Sequence, residues 1–250
     1  MAIQKTAGFI LKKRELRETS LVLIIYTRDF GKIRTVVKGV RSPENLFRSS
    51  YELFALDEVV FYEKKKKDFF TLSQCELVDF FPRIRADFER LLYALYFIET
   101  LDAVTVFDDA NKALYELLQN SLSLLSTKAS AKRTARIFEV RLLNILGFMP
   151  TVNACAGCGS RIANSSGRFS FSLGGVLCKG CFEKDRRASS ITAGTINFIS
   201  KILELPHEKA TRIKVSNAVG RELERILKNF LRYHMDTKSK TLNFIEKIGV

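Results

Sequence analysis

Ser20-Leu21-Val22-Leu23-Ile24-Ile25-Tyr26-Thr27-Arg28-Asp29-Phe30-Gly31-Lys32-Ile33-Arg34-Thr35-Val36-Val37-Lys38 is the stretch that decides the N-terminal fold. Its first eight residues form a nearly continuous apolar, β-branched run, which suits a pleated, half-buried surface better than a helix. Arg28-Asp29-Phe30-Gly31 supplies a turn, with Gly31 free to take a positive φ. The residues after the turn alternate. Ile33, Thr35 and Val37 face one way, and Lys32, Arg34 and Lys38 face the other, which predicts three cations on the solvent side of one strand.

Working outward, Phe9 to Lys12 opens an earlier strand, and Val59 to Glu63 with Phe69 to Leu77 makes a later hairpin. Its connection, Lys64-Lys65-Lys66-Lys67-Asp68, is either a phosphate contact or a solvated tip that blocks edge pairing. Short strands without helical period over residues 1–80 predict a small β-barrel of the OB-fold type, with an SH3-like barrel as the structural competitor. After Pro82 the period changes. Phe88, Leu91, Leu92, Leu95, Tyr96 and Leu101 follow helical spacing with one apolar face, and further helices fit 110–125 and 131–146, the latter stopped by Gly147. Two more, near 192–205 and 215–235, finish the chain. The predicted architecture is α+β and multidomain: a barrel over 1–80, then an all-helical domain over 81–150 and 186–250, interrupted by a four-cysteine, zinc-ribbon-like module at 151–185.

That module rests on Cys155-Ala-Gly-Cys158 and Cys178-Lys-Gly-Cys181, with nineteen residues between the pairs. A two-residue spacer lets both sulfurs of a pair turn toward one ion, and two such knuckles present four thiolates to a tetrahedral metal such as zinc (Zn2+). Two disulfides or four separate core thiols are the other readings. The N-terminal Met-Ala-Ile-Gln-Lys has no apolar signal segment, so a cytoplasmic chain is expected, where disulfides are disfavoured. No histidine or carboxylate is placed to open the site for catalysis, which makes the ion structural. The fifth cysteine, Cys75, alternates in step with Leu77 and reads as a buried core thiol.

The chain has 250 residues, 46% of them hydrophobic, and a formal charge of +14. No apolar run of about eighteen residues exists, which argues against a membrane span. The charge favours a polyanionic partner, either nucleic acid or an anionic membrane surface. Catalysis has little to stand on. His207 and His234 read as surface histidines without a partnered nucleophile, no Gly-rich phosphate loop is present, and Asp108-Asp109 balances a helix dipole. The chain reads as a non-enzyme.

Nucleic-acid binding has better support. Lys12, Lys13, Arg14 and Arg17 are expected in a loop, and Lys32, Arg34, Lys38 and Arg41 on or after a strand; up to Arg41, ten basic residues face three acidic ones. Such a surface neutralises phosphates without reading sequence. Phe30 and Phe47 are the loop aromatics available for base stacking, and each suits the core equally well. Lys132, Arg133 and Arg136, with Arg221, Arg225, Lys228 and Arg232, recur at helical spacing as a polar face or a dock for an acidic partner.

The order of parts resembles the bacterial RecO family of recombination mediators. Gly8-Phe9-Ile10-Leu11-Lys12, Glu18-Thr19-Ser20, Thr27, Gly31 and Lys38-Gly39-Val40-Arg41 resemble the opening of that family's barrel. Phe138-Glu139-Val140-Arg141-Leu142-Leu143-Asn144-Ile145-Leu146-Gly147-Phe148-Met149-Pro150 resembles its helix before the metal site, and the four cysteines match its zinc module. The resemblance implies a non-catalytic DNA-repair protein that binds single- and double-stranded DNA and anneals complementary strands. It implies pairing with RecR, gripping of the acidic, Phe-ended C-terminal tail of single-strand-binding protein, loading of RecA, and a bacterial cytoplasmic, nucleoid-associated location without membrane contact. Alternatives left open are a zinc-ribbon RNA- or ribosome-associated protein and a scaffold for acidic protein tails.

Overall fold

β1 (Ala2–Leu16) is long enough to serve two partners. In the computed structural model, which describes residues 2–16, 19–40, 51–63, 69–162, 166–235 and 239–249, its first half pairs with β4 (Leu56–Glu63) and its second with β2 (Ser20–Thr27). A register shift between Ile10 and Lys12 bends the strand where it changes partner, which is how one strand turns a barrel corner. β3 (Gly31–Val37) and β5 (Phe70–Asp79) complete the order β1-β2-β3-β5-β4, and β1 against β4 closes the barrel. The β3–β5 pair is parallel while the other pairs are antiparallel. Among the described residues this is a five-stranded OB-type barrel.

The turn into β3 forms as its residues demand. Gly31 has φ +65°, and a Cβ there would strike the Asp109 carbonyl. Ile10, Leu23, Ile25, Ile33, Val59 and Phe61 fill the interior. Two expectations change. The first strand begins at Ala2 rather than Phe9, so Lys12, Lys13 and Arg14 lie on a strand, opposite Ile24, Leu23 and Val22, and not in a loop. Cys75 is a core thiol, but Leu77, two residues on in the same register, is exposed, so the alternation does not carry burial that far along β5. The lysine tip at 64–68 lies outside the described residues.

Asp57 shares the inward face of β4 with Val59 and Phe61 and is wholly buried. Burial pushes its carboxyl up to about 7, with the Cys75 thiol offsetting part of the rise. A folded value above the unfolded one of about 3.9 means that Asp57 favours folding only while protonated. That contribution is complete below about pH 4 and is lost as pH rises toward 7. Asp57→Asn is therefore expected to stabilise the protein at pH 8 by on the order of 2–3 kcal/mol and to flatten melting temperature against pH between 5 and 8. Destabilisation that is present at neutral pH and vanishes as pH falls below about 4 would show instead that the carboxylate is needed as an anion.

The helices divide between two compact units, residues 1–127 with 239–250, and residues 128–238. In the first unit α1 (Pro82–Arg85) leads into α2 (Phe88–Val104), α3 (Lys112–Leu125) and, after the second unit, α8 (Lys240–Ile248). Asp87, Asn111 and Ser239 cap α2, α3 and α8 by accepting from N–H groups in their first turns. The single apolar face expected for α2 is wrong. Tyr93, Ala94, Tyr96, Phe97 and Ile98 are all buried, because β1, α1, α3 and α8 pack around that helix. Glu99 holds α8 in place: its carboxylate accepts from the Ser239 hydroxyl at 2.6 Å and from the Lys240 and Thr241 N–H groups at 2.8 and 3.0 Å. Burial opposes that charge, and these donors together keep the carboxyl below its usual range.

The second unit packs α4 (Ala131–Ile145), α5 (Ala193–Glu204) and α7 (Asn217–Met235), with α6 (His207–Ala210) between the last two. Among the described residues its sheet has the order β7-β6-β8, from β6 (Gly167–Ser170), β7 (Gly175–Leu177) and β8 (Ser189–Ile191). A 3-10 turn at Lys179–Lys184 carries the second cysteine pair. No described helix is long and apolar enough to cross a membrane.

Candidate metal centre and nucleic-acid interface

The two knuckles of the second unit are built by local hydrogen bonds. The Cys155 N–H donates to the Ser160 carbonyl, and the Gly159 N–H donates back to the Cys155 carbonyl, both at 2.8 Å. The Cys181 N–H donates to the Cys178 carbonyl at 2.9 Å. The ligand atoms of Cys155, Cys158, Cys178 and Cys181 consequently lie within 4.8 Å of one another. Cys158 and Cys178 Sγ are 3.8 Å apart. That is the edge of a tetrahedron whose metal–sulfur bonds are about 2.3 Å.

The surroundings fit a bound cation. Gly157 and Cys178 N–H groups point at Cys155 Sγ from 3.4 and 3.3 Å. A Cβ on Gly157 would come within 3.2 Å of Cys181 Sγ, so any larger residue there crowds the knuckle. Burial and then the neighbouring thiols push the Cys181 thiol up, the repulsion that a dication at the centre relieves. These four residues could hold a metal ion.

The barrel's cations are placed less simply. Lys38 and Arg14 are exposed. Lys13 pairs with Glu52 at 3.6 Å, and Lys12 pairs with Asp102. Lys32 is not on a solvent face. It is 5% exposed, donating to the Asp102 carbonyl at 2.7 Å and its carboxylate at 3.3 Å. Alternation gave its side of β3 correctly, but α2 and the segment joined to β3 at Phe107 cover that side. Arg34 is half-buried between the rings of Phe107 and Phe69, at 4.5 and 5.2 Å. Arg17, Arg41 and Phe47 lie outside the described residues, and Phe30 packs on the core edge-on to Phe61.

Phe69 and Phe107, 38% and 39% exposed, are the aromatics that sequence reasoning missed. Their signal was present. Phe69 directly follows the lysine tip, and Val106-Phe107 is an apolar pair stranded between a helix end and Asp108-Asp109.

Within the second unit, Lys132, Arg133, Arg136 and Arg221 line one cavity of about 370 Å³, with Phe198 and Leu223 as its apolar floor. The four cations are not one polar face. Lys132 is exposed, Arg133 donates to the Thr211 carbonyl at 2.8 Å, and Arg136 is buried in an ion pair with Glu139 at 3.0 Å. The histidines are half-buried rather than fully on the surface. Burial, with Arg141 nearby, lowers His207 to about 4, and His234 stacks edge-on to Phe230 at 4.3 Å.

An OB-type barrel followed by helices and a four-cysteine cluster defines a class of multidomain protein that joins a small barrel to a helical part carrying four clustered thiols. Residues 1–81 match the family model for Recombination protein O N terminal, and residues 85–243 match that for Recombination protein O C terminal. The chain belongs to the Recombination protein O (RecO) family.

Curated relatives span its whole length. It is 33% identical to the DNA repair protein RecO of Moorella thermoacetica, over 97% of this chain and 90% of that protein. It is 31% identical to that of Acetivibrio thermocellus, over 98% and 96%, and 30% identical to that of Desulforamulus reducens, over 99% and 96%.

Proposed function

We propose that this protein is a non-catalytic recombination mediator of DNA repair. The observation that carries the reading is the match to proteins named DNA repair protein RecO along nearly the full chain. On this reading the protein binds single- and double-stranded DNA, anneals complementary strands, pairs with RecR, and helps load RecA onto strands coated by single-strand-binding protein. It works in the bacterial cytoplasm at the nucleoid.

Annealing of this kind requires no active site. A cationic surface holding two polyanions lowers their mutual repulsion, and base pairing drives the reaction. The exposed Arg14 and Lys38 are the barrel's first phosphate contacts, with Lys12 and Lys13 beside Arg14 and with Arg17 and Arg41 as further candidates from the sequence. Lys32 positions Asp102 and Phe107 instead of touching DNA. Phe69 and Phe107 on either side of Arg34 suit the stacking of unpaired bases.

The cavity lined by Lys132, Arg133, Arg136 and Arg221 suits the acidic, Phe-ended tail of single-strand-binding protein, with cations for its carboxylates and Phe198 with Leu223 for its ring. The four thiolates hold a structural zinc ion. The barrel 1–80, the helical parts 81–150 and 186–250, and the metal module 151–185 are the functional divisions of this reading.

The test is annealing of complementary DNA strands coated with single-strand-binding protein, across a salt titration. Salt-sensitive annealing is expected, and Arg221→Glu is expected to abolish it on coated strands while sparing naked ones. Annealing of naked strands alone by the unaltered protein removes the tail site from the reading. Absence of any DNA binding removes the reading itself and favours an RNA-binding or scaffold role.

A further inference from the structure

A chain of aromatic rings runs through the second unit and surfaces at both ends in one place. Phe171 meets Phe169 at 5.3 Å and 65°, and Phe169 meets Phe230 at 5.4 Å and 81°. Phe230 meets His234, which meets Tyr233 at 5.2 Å and 76°. The middle members Phe169 and Phe230 are fully buried, so the edge-to-face contacts lock the outer rings from inside. Those outer rings, Phe171 and Tyr233, line a single open groove of about 620 Å³ with Asp185, Arg187 and Arg232.

Tyr233 is 59% exposed, and the ring it meets, His234, rests in turn on the buried Phe230. A preorganised, exposed π face costs a ligand little ordering entropy when it stacks.

The charge of the groove is positive. Asp185 lies in it, but its carboxylate is committed to its own loop, accepting from the Ser170 and Ser172 hydroxyls at 2.6 and 3.2 Å and from the Arg187 N–H at 2.9 Å. The Arg187 side chain is exposed. Across residues 151–191 six basic residues face two acidic ones, and the second acidic residue, Glu183, pairs with Arg186 at 3.0 Å. The groove therefore offers flat apolar rings beside guanidinium groups. Unpaired nucleobases on a phosphate backbone have the complementary pattern, whereas a duplex hides its base faces.

We propose that this groove is a second contact for single-stranded nucleic acid, with a base stacked on Tyr233 and backbone phosphates held by Arg187 and Arg232. The proposal rests on the DNA-handling reading and adds a site that the barrel and the acidic-tail cavity do not provide.

The test uses the full-length, zinc-loaded protein with a fluorescein-labelled thirty-nucleotide oligothymidylate. Tyr233→Ala is expected to weaken binding about tenfold with an unchanged salt slope, and Tyr233→Phe to bind like the unaltered protein. Arg187→Gln is expected to reduce the salt slope by about 0.7, one phosphate contact on a single strand. Photo-cross-linking of the unaltered protein to bromodeoxyuridine-substituted oligonucleotide is expected to label the peptide holding Tyr233, a readout independent of how any variant folds.

Unchanged affinity in Tyr233→Ala and Arg187→Gln, with loss in Arg14→Glu/Lys38→Glu, overturns the groove and leaves the barrel reading standing. An Arg187→Gln defect seen with a hexaglutamate peptide but not with the oligonucleotide overturns it in favour of an acidic protein ligand. Failure of the unaltered protein to bind the oligonucleotide overturns both readings together.

Discussion

Glu139→Ala is expected to lower the unfolding free energy of the second unit by about 3–5 kcal/mol, the cost of stranding a buried charge. Glu139 is 0% exposed and its partner Arg136 lies at 3.0 Å, one helical turn back on α4. Removing the carboxylate takes an ion-pair partner from a guanidinium that is only 5% exposed and leaves Glu224 to balance its charge from farther off. Against a typical total of about 5–15 kcal/mol for a domain, that loss is a large share. The melting temperature is expected to fall by more than about 10 °C.

Glu139→Gln keeps one acceptor and should lose less. The double replacement Arg136→Leu/Glu139→Leu is expected to recover most of the stability, because a buried ion pair contributes little over an apolar pair of similar volume. Differential scanning calorimetry of the three variants decides the matter. A loss below about 1 kcal/mol in Glu139→Ala would mean that the pair behaves as an exposed one. The double variant also separates two roles of Arg136, since it should fold well yet lose affinity for an acidic, Phe-ended peptide.

Removal of the metal is the larger perturbation. Around the cysteines the apolar cluster contains little beyond Leu177, Ile162, Phe182 and alanines. That is too little apolar surface to order the segment unaided, and in small zinc-binding peptides the ion supplies on the order of 10 kcal/mol. Cys155→Ser and Cys178→Ser are each expected to lose one equivalent of zinc by elemental analysis. Trypsin should then cleave at Arg161, Arg168 and Lys179. The packing of α4, α5 and α7 should survive, so helical circular dichroism should change far less than protease sensitivity. Full zinc content and intact protease resistance in either variant would remove the metal role.

The parts legible in the sequence are those whose determinants are local. The β2–β3 hairpin follows from two-residue alternation around Gly31, and the metal cluster from two-residue spacers that bring sulfurs together by turn geometry alone. What failed depends on partners distant in the chain. Alternation assigned Lys32 to a face of β3, but whether that face meets water is decided by Asp102, seventy residues on. The apolar spacing of α8 covers nine residues, and the carboxylate that fixes its start, Glu99, lies 140 positions away from Ser239. Arg133 carries the charge of a surface residue, yet the Thr211 carbonyl, far along the chain, draws it inward. The exposed aromatics beside Arg34 were hidden for the same reason: Phe107 joins β3 through a bridge to Lys32.

α8 also sets an order of events during synthesis. It completes a unit whose remaining residues all precede 128, so residues 128–238 are an insertion delivered whole before the helix that covers α2 exists. At about 5–20 residues per second, the nascent chain carries the uncovered flank of α2 for roughly ten seconds while the four-cysteine insertion emerges and folds. The segment made after the insertion therefore seals the unit begun before it, and a ribosome stalled between 128 and 238 displays an unsealed apolar helix to the cell's chaperones and proteases.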